Sequence, residues 1–235
     1  MSLGKCEIGN MEIDKIHHGD CIDIMSKMSD KSIHLTLTDI PYDECDKPSG
    51  GLRQIGKGQA DQLNFDLNDF LNEVQRVTIG SIYIFCGIQQ VSPIYKKFRE
   101  DGMVTRHCVW QKSNPSPMNG QSTWLSALEN CIFAKFGGAV FNESCKPNVW
   151  KYKSGTSKVH PTQKPVELMI RLIEASSKKE EVVFDPCVGS GTTAVACVKT
   201  ERHFIGIEQD DKWYTFAQCR VKQAIQHDMY CLQMR

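Results

Sequence analysis

The chain has 235 residues, 40% of them hydrophobic and 24% charged, with 28 basic and 28 acidic side chains and no net charge. That length suits one large α/β domain or a domain with a small accessory lobe, and the composition is that of a soluble globular protein. It excludes a membrane-spanning helix, since no apolar run approaches the roughly 20 residues one needs. With no global field to attract nucleic acid, such a partner requires a local basic patch.

In chain order, the N-terminus "MSLGKCEIGNMEIDKIHHGD" has no apolar core of the signal-peptide kind. A strand is predicted over 34–39, "HLTLTD", rich in β-branched residues and stopped by Pro41, which has no N–H for a ladder. Residues 43–64 read as a long polar loop. A helix follows, with Asp66 as N-cap and Leu67, Phe70, Leu71 and Val74 on one face. Next come a buried strand over 81–86, a helix near 89–100, and strands "TRHCVWQ" and "NCIFAKF". Residues 136–160 are read as irregular, and a helix opens at Pro165 with Leu168, Met169, Leu172 and Ile173 as its apolar stripe. The chain closes with a strand (182–185), a glycine turn, a helix (191–199), a strand (203–208) and a helix from about Asp210. Strands separated by helix-length segments predict a mostly parallel, doubly wound α/β sheet with helices on both faces, in one domain over 1–235.

The eleven cysteines include no CxxC pair. Without a secretion signal they predict a reduced, cytoplasmic protein whose cysteines are small buried hydrophobes, with no metal site.

The stretch "VVFDPCVGSGTTAVACV" is a strand, a glycine turn and a helix. Gly189 and Gly191 permit a tight turn and close approach of a ligand to the backbone, and the following helix offers unpaired N–H groups. Glu208 ends the next strand about 20 residues on, where a doubly wound fold presents a carboxylate to ribose hydroxyls. No Lys-Ser or Lys-Thr follows the glycines, which disfavours a P-loop. An adenosine-containing cofactor is expected; NAD and S-adenosylmethionine both fit this turn.

Three stretches together, "DIPY" (39–42), "HPTQKP" (160–165) and "DPCVGSGTT" (185–193), resemble the amino-methylating DNA methyltransferases of the β class. The similarity runs from Gly19-Asp20-Cys21 to Glu208 and implies a Rossmann-like, S-adenosylmethionine-dependent methyltransferase fold with a circularly permuted motif order. By that resemblance Asp39, the carbonyl of Ile40 before Pro41, and Tyr42 hold and stack on the target base. Asp185, Pro186, Gly189, Ser190, Gly191, Thr192 and Thr193 cradle the methionine part of the cofactor. Glu208 takes the ribose, Asp20 with Cys21 the adenine end, and Thr162 and Lys164 the cofactor's carboxylate. Taken singly, Asp39 reads as a turn cap, Tyr42 as packing, Lys164 as a surface charge and Asp20 as a turn residue; their co-occurrence points to function. His160 reads equally well as structural.

Two positions depart from the family pattern: Ile40 stands where proline is usual, and Cys187 where phenylalanine is common. If the second position acts through its carbonyl, proline is not needed, and Ile40→Pro is expected to keep activity. The segment "CKPNVWKYKSGTSKVH" occupies the family's target-recognition position. Its Lys146, Lys151, Lys153 and Lys158, interleaved with Trp150 and Tyr152, are the candidate DNA contacts.

The expected activity is N6-adenine methylation of double-stranded DNA, since family enzymes acting on cytosine N4 more often carry Ser at the Asp39 position. Cytosine N4 is the near alternative. An NAD-dependent oxidoreductase leaves "DIPY" and "HPTQKP" unexplained, and a non-catalytic nucleic-acid-binding module is the third reading. A bacterial or phage protein is expected; family relatives are often dimers, which makes a homodimer compatible with the resemblance, and a restriction nuclease partner is left open, with no nuclease motif evident in this chain.

Overall fold

The computed structural model describes residues 7–8, 10–42, 65–117, 120–155 and 163–233. The predicted loop over 43–64, and Lys158, His160 and Thr162, lie outside the described residues. No described helix is long and apolar enough to cross a membrane.

A short antiparallel pair, β1 (Glu7–Ile8) and β2 (Met11–Glu12), precedes the main sheet. The sheet is built from β3 (Lys15–His18), β4 (Ile33–Asp39), β5 (Thr78–Cys86), β6 (Val104–Lys112), β7 (Leu128–Lys135), β8 (Val149–Tyr152), β9 (Val182–Asp185) and β10 (His203–Glu208). The helices are α1 (Cys21–Met25), α2 (Leu67–Val77), α3 (Ile88–Glu100), α4 (Val166–Ser176), α5 (Thr192–Lys199) and α6 (Asp211–Gln233). Sheet order is β3-β10-β9-β4-β5-β7-β6-β8, and β7 alone runs against the other seven strands.

Alternation along the central strands supplies two cores. Leu35, Leu37, Tyr83, Phe85 and Val183 face α4, α5 and α6; Ile33, Ile82, Ile84, Val182 and Phe184 face α1, α2 and α3. A parallel sheet covered on both faces needs this two-sided apolar content. Chain order reverses between the paired strands β4 and β9, which makes their exits the switch point where open α/β sheets bind ligands.

Most predicted elements fall where expected. Asp66 caps α2 through the N–H groups of Asn68 and Asp69. Pro165 is the N-cap of α4, one residue before its predicted place, with extended backbone that suits a residue lacking an N–H. The main addition is β8, inside the stretch read as irregular, which extends the sheet by pairing Val109–Lys112 with Val149–Tyr152. Of the described cysteines, Cys21, Cys86, Cys108, Cys131 and Cys197 are buried; Cys145 and Cys219 are exposed.

Candidate active site

The carboxyl edge of the sheet collects acids because three of its strands end on one. Asp39 ends β4, Asp185 ends β9 and Glu208 ends β10; Glu129 reaches the same edge from the start of antiparallel β7.

At the exit of β4 the "DIPY" turn folds into a charged knot. Tyr42 donates its hydroxyl to Asp39 Oδ1 at 2.9 Å and lies 3.2 Å from Glu129 Oε2. Lys164 Nζ sits 2.5 Å from Asp39 Oδ2, 3.0 Å from Glu129 Oε2 and 3.0 Å from the Tyr42 oxygen. Lys112 closes the chain at 2.6 Å from Glu129 Oε1. The Lys164 side chain is 4% exposed and that of Asp39 29%. An ammonium has three protons to give, and all three of Lys164 are directed to oxygens.

Burial is the largest influence on Asp39 and, with the Glu129 charge, lifts its carboxyl above the ordinary value against the pull of Lys164. Burial also pushes Glu129 up, but Lys164 and Lys112 outweigh it and hold that carboxylate below its usual range. Burial disfavours the Lys164 cation, yet Asp39 and Glu129 more than compensate, so it remains an ammonium. Burial and both carboxylates hold Tyr42 as a neutral phenol.

Backbone bonds hold this turn in place. Ile40 donates its N–H to the Phe85 carbonyl at 3.2 Å, and Gln90 Nε2 donates to the Pro41 carbonyl at 2.9 Å. The Ile40 side chain is buried in the core beneath α1 and α2. Proline at 40 would lack the bonded N–H, so Ile40→Pro, expected to keep activity, would do so with one backbone hydrogen bond fewer at this turn.

At the exit of β9 the glycine turn carries Gly189 and Gly191 at φ of +52° and +79°, in the left-handed region. A Cβ on Gly191 would stand 3.1 Å from Ala217 Cβ, so α6 packs where only glycine fits. Glu208 accepts from the N–H of Gly189 at 2.7 Å and from that of Asp210 at 2.9 Å, spanning the turn and the next loop. Burial raises the Glu208 carboxyl. Asp185 is buried and accepts from the Cys187 N–H at 3.1 Å; burial drives its carboxyl up to about 6, partly offset by the Thr193 and Thr38 hydroxyls.

Several expected cofactor contacts are engaged elsewhere in this structure. Ser190 and Thr192 are buried, 3.2 Å apart, and both accept from Arg220 Nη1 of α6, which also donates to the Ser190 carbonyl at 2.9 Å. Their side chains brace the turn from behind and leave its backbone to a ligand. Asp20 is the N-cap of α1, accepting from Ile22 and Asp23, and Cys21 behind it is buried. Lys164 lies at the clamp, bonded to Asp39. Among the DNA candidates, Lys146, Lys151 and Lys153 are exposed. Trp150 is corrected to a core role: it is 5% exposed, with its ring centroid 6.2 Å from that of Tyr83 and 6.4 Å from that of Phe85. Alternation on an edge strand turns Trp150 inward while Val149 and Lys151 face out. Tyr152 is half-buried against the same core.

Glu129, Lys112 and Arg220 were not anticipated. The acid at the head of "LENCIFAK" was the one available signal for Glu129. A cleft of about 330 Å³ beside Asp14, Arg202 and His203 lies at the opposite edge of the sheet, away from this chemistry.

A sheet of seven parallel strands and one antiparallel, with an acid-rimmed glycine turn beside the "DIPY" turn at its switch point, is the architecture of the Rossmann-like methyltransferase fold. Comparison with known proteins points the same way. Residues 137–218 match the family model described as DNA methylase, of the N6/N4 type. The chain is 27% identical over 226 residues to the type II methyltransferase M2.MboI of Moraxella bovis, covering 83% of this chain and 82% of that one. It is 28% identical over 249 residues to M.HinfI of Haemophilus influenzae, covering 90% and 69%. Among solved structures, the M1.HpyAVI–SAM complex superposes with a TM-score of 0.69 at 28% identity, over 88% of this chain and 98% of that one. The cytosine-N4-specific PvuII methyltransferase shares the fold, with a TM-score of 0.71 at 18% identity over 88% and 85%. Over most of its length the chain is similar to amino-methylating DNA methyltransferases.

Proposed function

We propose that this enzyme transfers a methyl group from S-adenosylmethionine to the N6 amine of an adenine turned out of double-stranded DNA. The observation that carries the proposal is the juxtaposition of the Asp39–Tyr42 clamp and the Asp185–Thr193 turn at the exits of the directly paired strands β4 and β9. The chemistry of the donor set fits the cofactor. A buried carboxylate, Asp185, heads the glycine turn, and Glu208 already takes the Gly189 N–H. Such a rim suits a ligand with cationic and hydroxyl groups; a pyrophosphate would meet like charge. Asp185 and the turn backbone would hold the methionine part, and Glu208 the ribose.

When bound, the sulfonium supplies an already activated methyl group. The protein's task is then alignment and electrostatics. An aromatic amine is a weak nucleophile because its lone pair is delocalised into the ring. Asp39 and the Ile40 carbonyl, accepting its two N–H bonds, favour a pyramidal nitrogen with the lone pair aimed at the methyl. Tyr42 offers the ring on which an extruded base stacks. Asp at position 39 supports adenine over cytosine by the family pattern.

A DNA-facing surface adjoins this edge. Asn114, beyond β6, bonds Ser154 beyond β8 at 2.7 Å, so the β6–β7 segment and the β8 exit form one surface. It exposes Lys151, Lys153 and, at 96% exposure, Trp124. Lysines there neutralise phosphates, and an exposed indole can stack.

The test is transfer of labelled methyl from S-adenosylmethionine to duplex DNA by the wild type and Asp39→Ala, with cofactor affinity followed by calorimetry. Transfer by the wild type only, with cofactor affinity retained in the variant, supports the proposal. Binding of NAD without binding of S-adenosylmethionine ends it.

A further inference from the structure

Both oxygens of Asp39 are occupied in this structure, Oδ1 by the Tyr42 hydroxyl and Oδ2 by Lys164. A carboxylate oxygen has two lone pairs, so an amine can be held by Asp39 at a second lone pair or in place of one of these contacts. Tyr42 follows the short "DIPY" turn, and its ring has a second role on the base. Lys164 is almost wholly buried and is tied at the same time to Glu129, which Lys112 anchors from β6. Oδ2 is therefore the oxygen committed to the buried ion pair, and Oδ1, which carries only the neutral Tyr42 hydroxyl, is the acceptor offered to the amine.

The counter-charge then matters. An ammonium devoted to Asp39 alone would drain the carboxylate of the basicity that draws on the amine N–H. Without any cation, burial would favour the protonated acid, which accepts poorly. Shared between two carboxylates, and with Lys112 balancing the second, Lys164 does neither. The knot holds two cations and two anions.

We propose that Lys164 and Glu129 are a positioning pair: Lys164 fixes Oδ2 and keeps Asp39 ionised, and Glu129 tempers that ion pair so that Oδ1 remains a strong acceptor for the target amine. This departs from the expectation that Lys164 serves the cofactor's carboxylate, and it rests on the amine-methylating reading of the site. The groups facing Asp39 are Lys164 ahead of α4, Glu129 and Cys131 on β7, Cys86 on β5, Asp185 on β9 and Tyr42 on its own turn. Of these, Lys164 and Glu129 exert the largest charge effects on Asp39, in opposite directions.

The experiment is single-turnover methyl transfer against pH, with S-adenosylmethionine affinity measured on the same proteins. Wild-type transfer comes first; if there is none to any DNA, the amine-methylating reading fails. With wild-type transfer in hand, Lys164→Met should move the acid limb up by at least one pH unit, with cofactor affinity within threefold of wild type. A tenfold loss of cofactor affinity with an unmoved limb would return Lys164 to the cofactor and overturn the inference. Glu129→Gln guards against a Lys164 variant that fails to fold. It should move the limb to lower pH and lower the plateau rate severalfold. A lower plateau with an unmoved or raised limb would mean a merely structural Glu129 and would also overturn it.

Discussion

Asp185 sits buried at the head of the glycine turn with no cation beside it among the described residues, so ionising it destabilises the folded chain. Its carboxyl is driven to about 6 from an ordinary 3.8. Between these values the native state binds more protons than the unfolded state, so stability falls as pH rises through this window and is flat above it. At about 1.4 kcal/mol per pH unit the fall amounts to roughly 3 kcal/mol. Asp185→Asn removes that dependence and keeps an acceptor for the Cys187 N–H, at a cost of about 1 kcal/mol for weakened bonding to the carboxylate. The variant should therefore be about 1–2 kcal/mol more stable than wild type at pH 7, and less stable or equal at pH 4. Urea denaturation at both pH values measures this, and addition of S-adenosylmethionine should stabilise wild type far more than the variant. An Asp185→Asn protein less stable than wild type at pH 7 would refute the claim that a strained carboxylate is held there for the cofactor.

Ile40→Pro forfeits the N–H bond to Phe85 and should lower stability by about 1–3 kcal/mol, read by urea titration; unchanged stability would contradict the bonding at that turn. Trp150→Ala should cost about 3–5 kcal/mol as a core truncation. A stable Trp150→Ala protein with weakened DNA binding would restore the indole to the DNA face. Lys151→Gln and Lys153→Gln should each lower DNA affinity and reduce the salt dependence by roughly one counterion, without changing cofactor affinity. Titrations at several salt concentrations test this, and an unchanged slope in both would remove this face from the DNA contact.

The strand exits were legible because their punctuation is local. Pro41 stops β4, Gly189 and Gly191 turn the chain after β9, and Asp66 caps α2 within a few residues of sequence. The acids Asp39, Asp185 and Glu208 stand out for the same reason. Glu129 was not legible because its role depends on one strand running against its neighbours, which brings the start of β7 to the edge where the other strands end. The motif around Lys164 marks it as functional but assigns it to the cofactor's carboxylate, because its contact with Asp39 spans 125 residues and follows from no local pattern. The indole of Trp150 looked like a stacking group among lysines because a four-residue edge strand is too short to show its alternation. Arg220 reaches the glycine turn only through the packing of α6 on α5.

The central claim is a methyl group placed on an exocyclic amine of DNA by a clamp built on Asp39. Duplex DNA reacted with S-adenosylmethionine and the wild-type enzyme, then digested to nucleosides and weighed, tests it most directly. N6-methyladenine, absent when Asp39→Ala is used, is the expected product; 4-methylcytosine alone, or a product formed equally by the variant, would contradict the account.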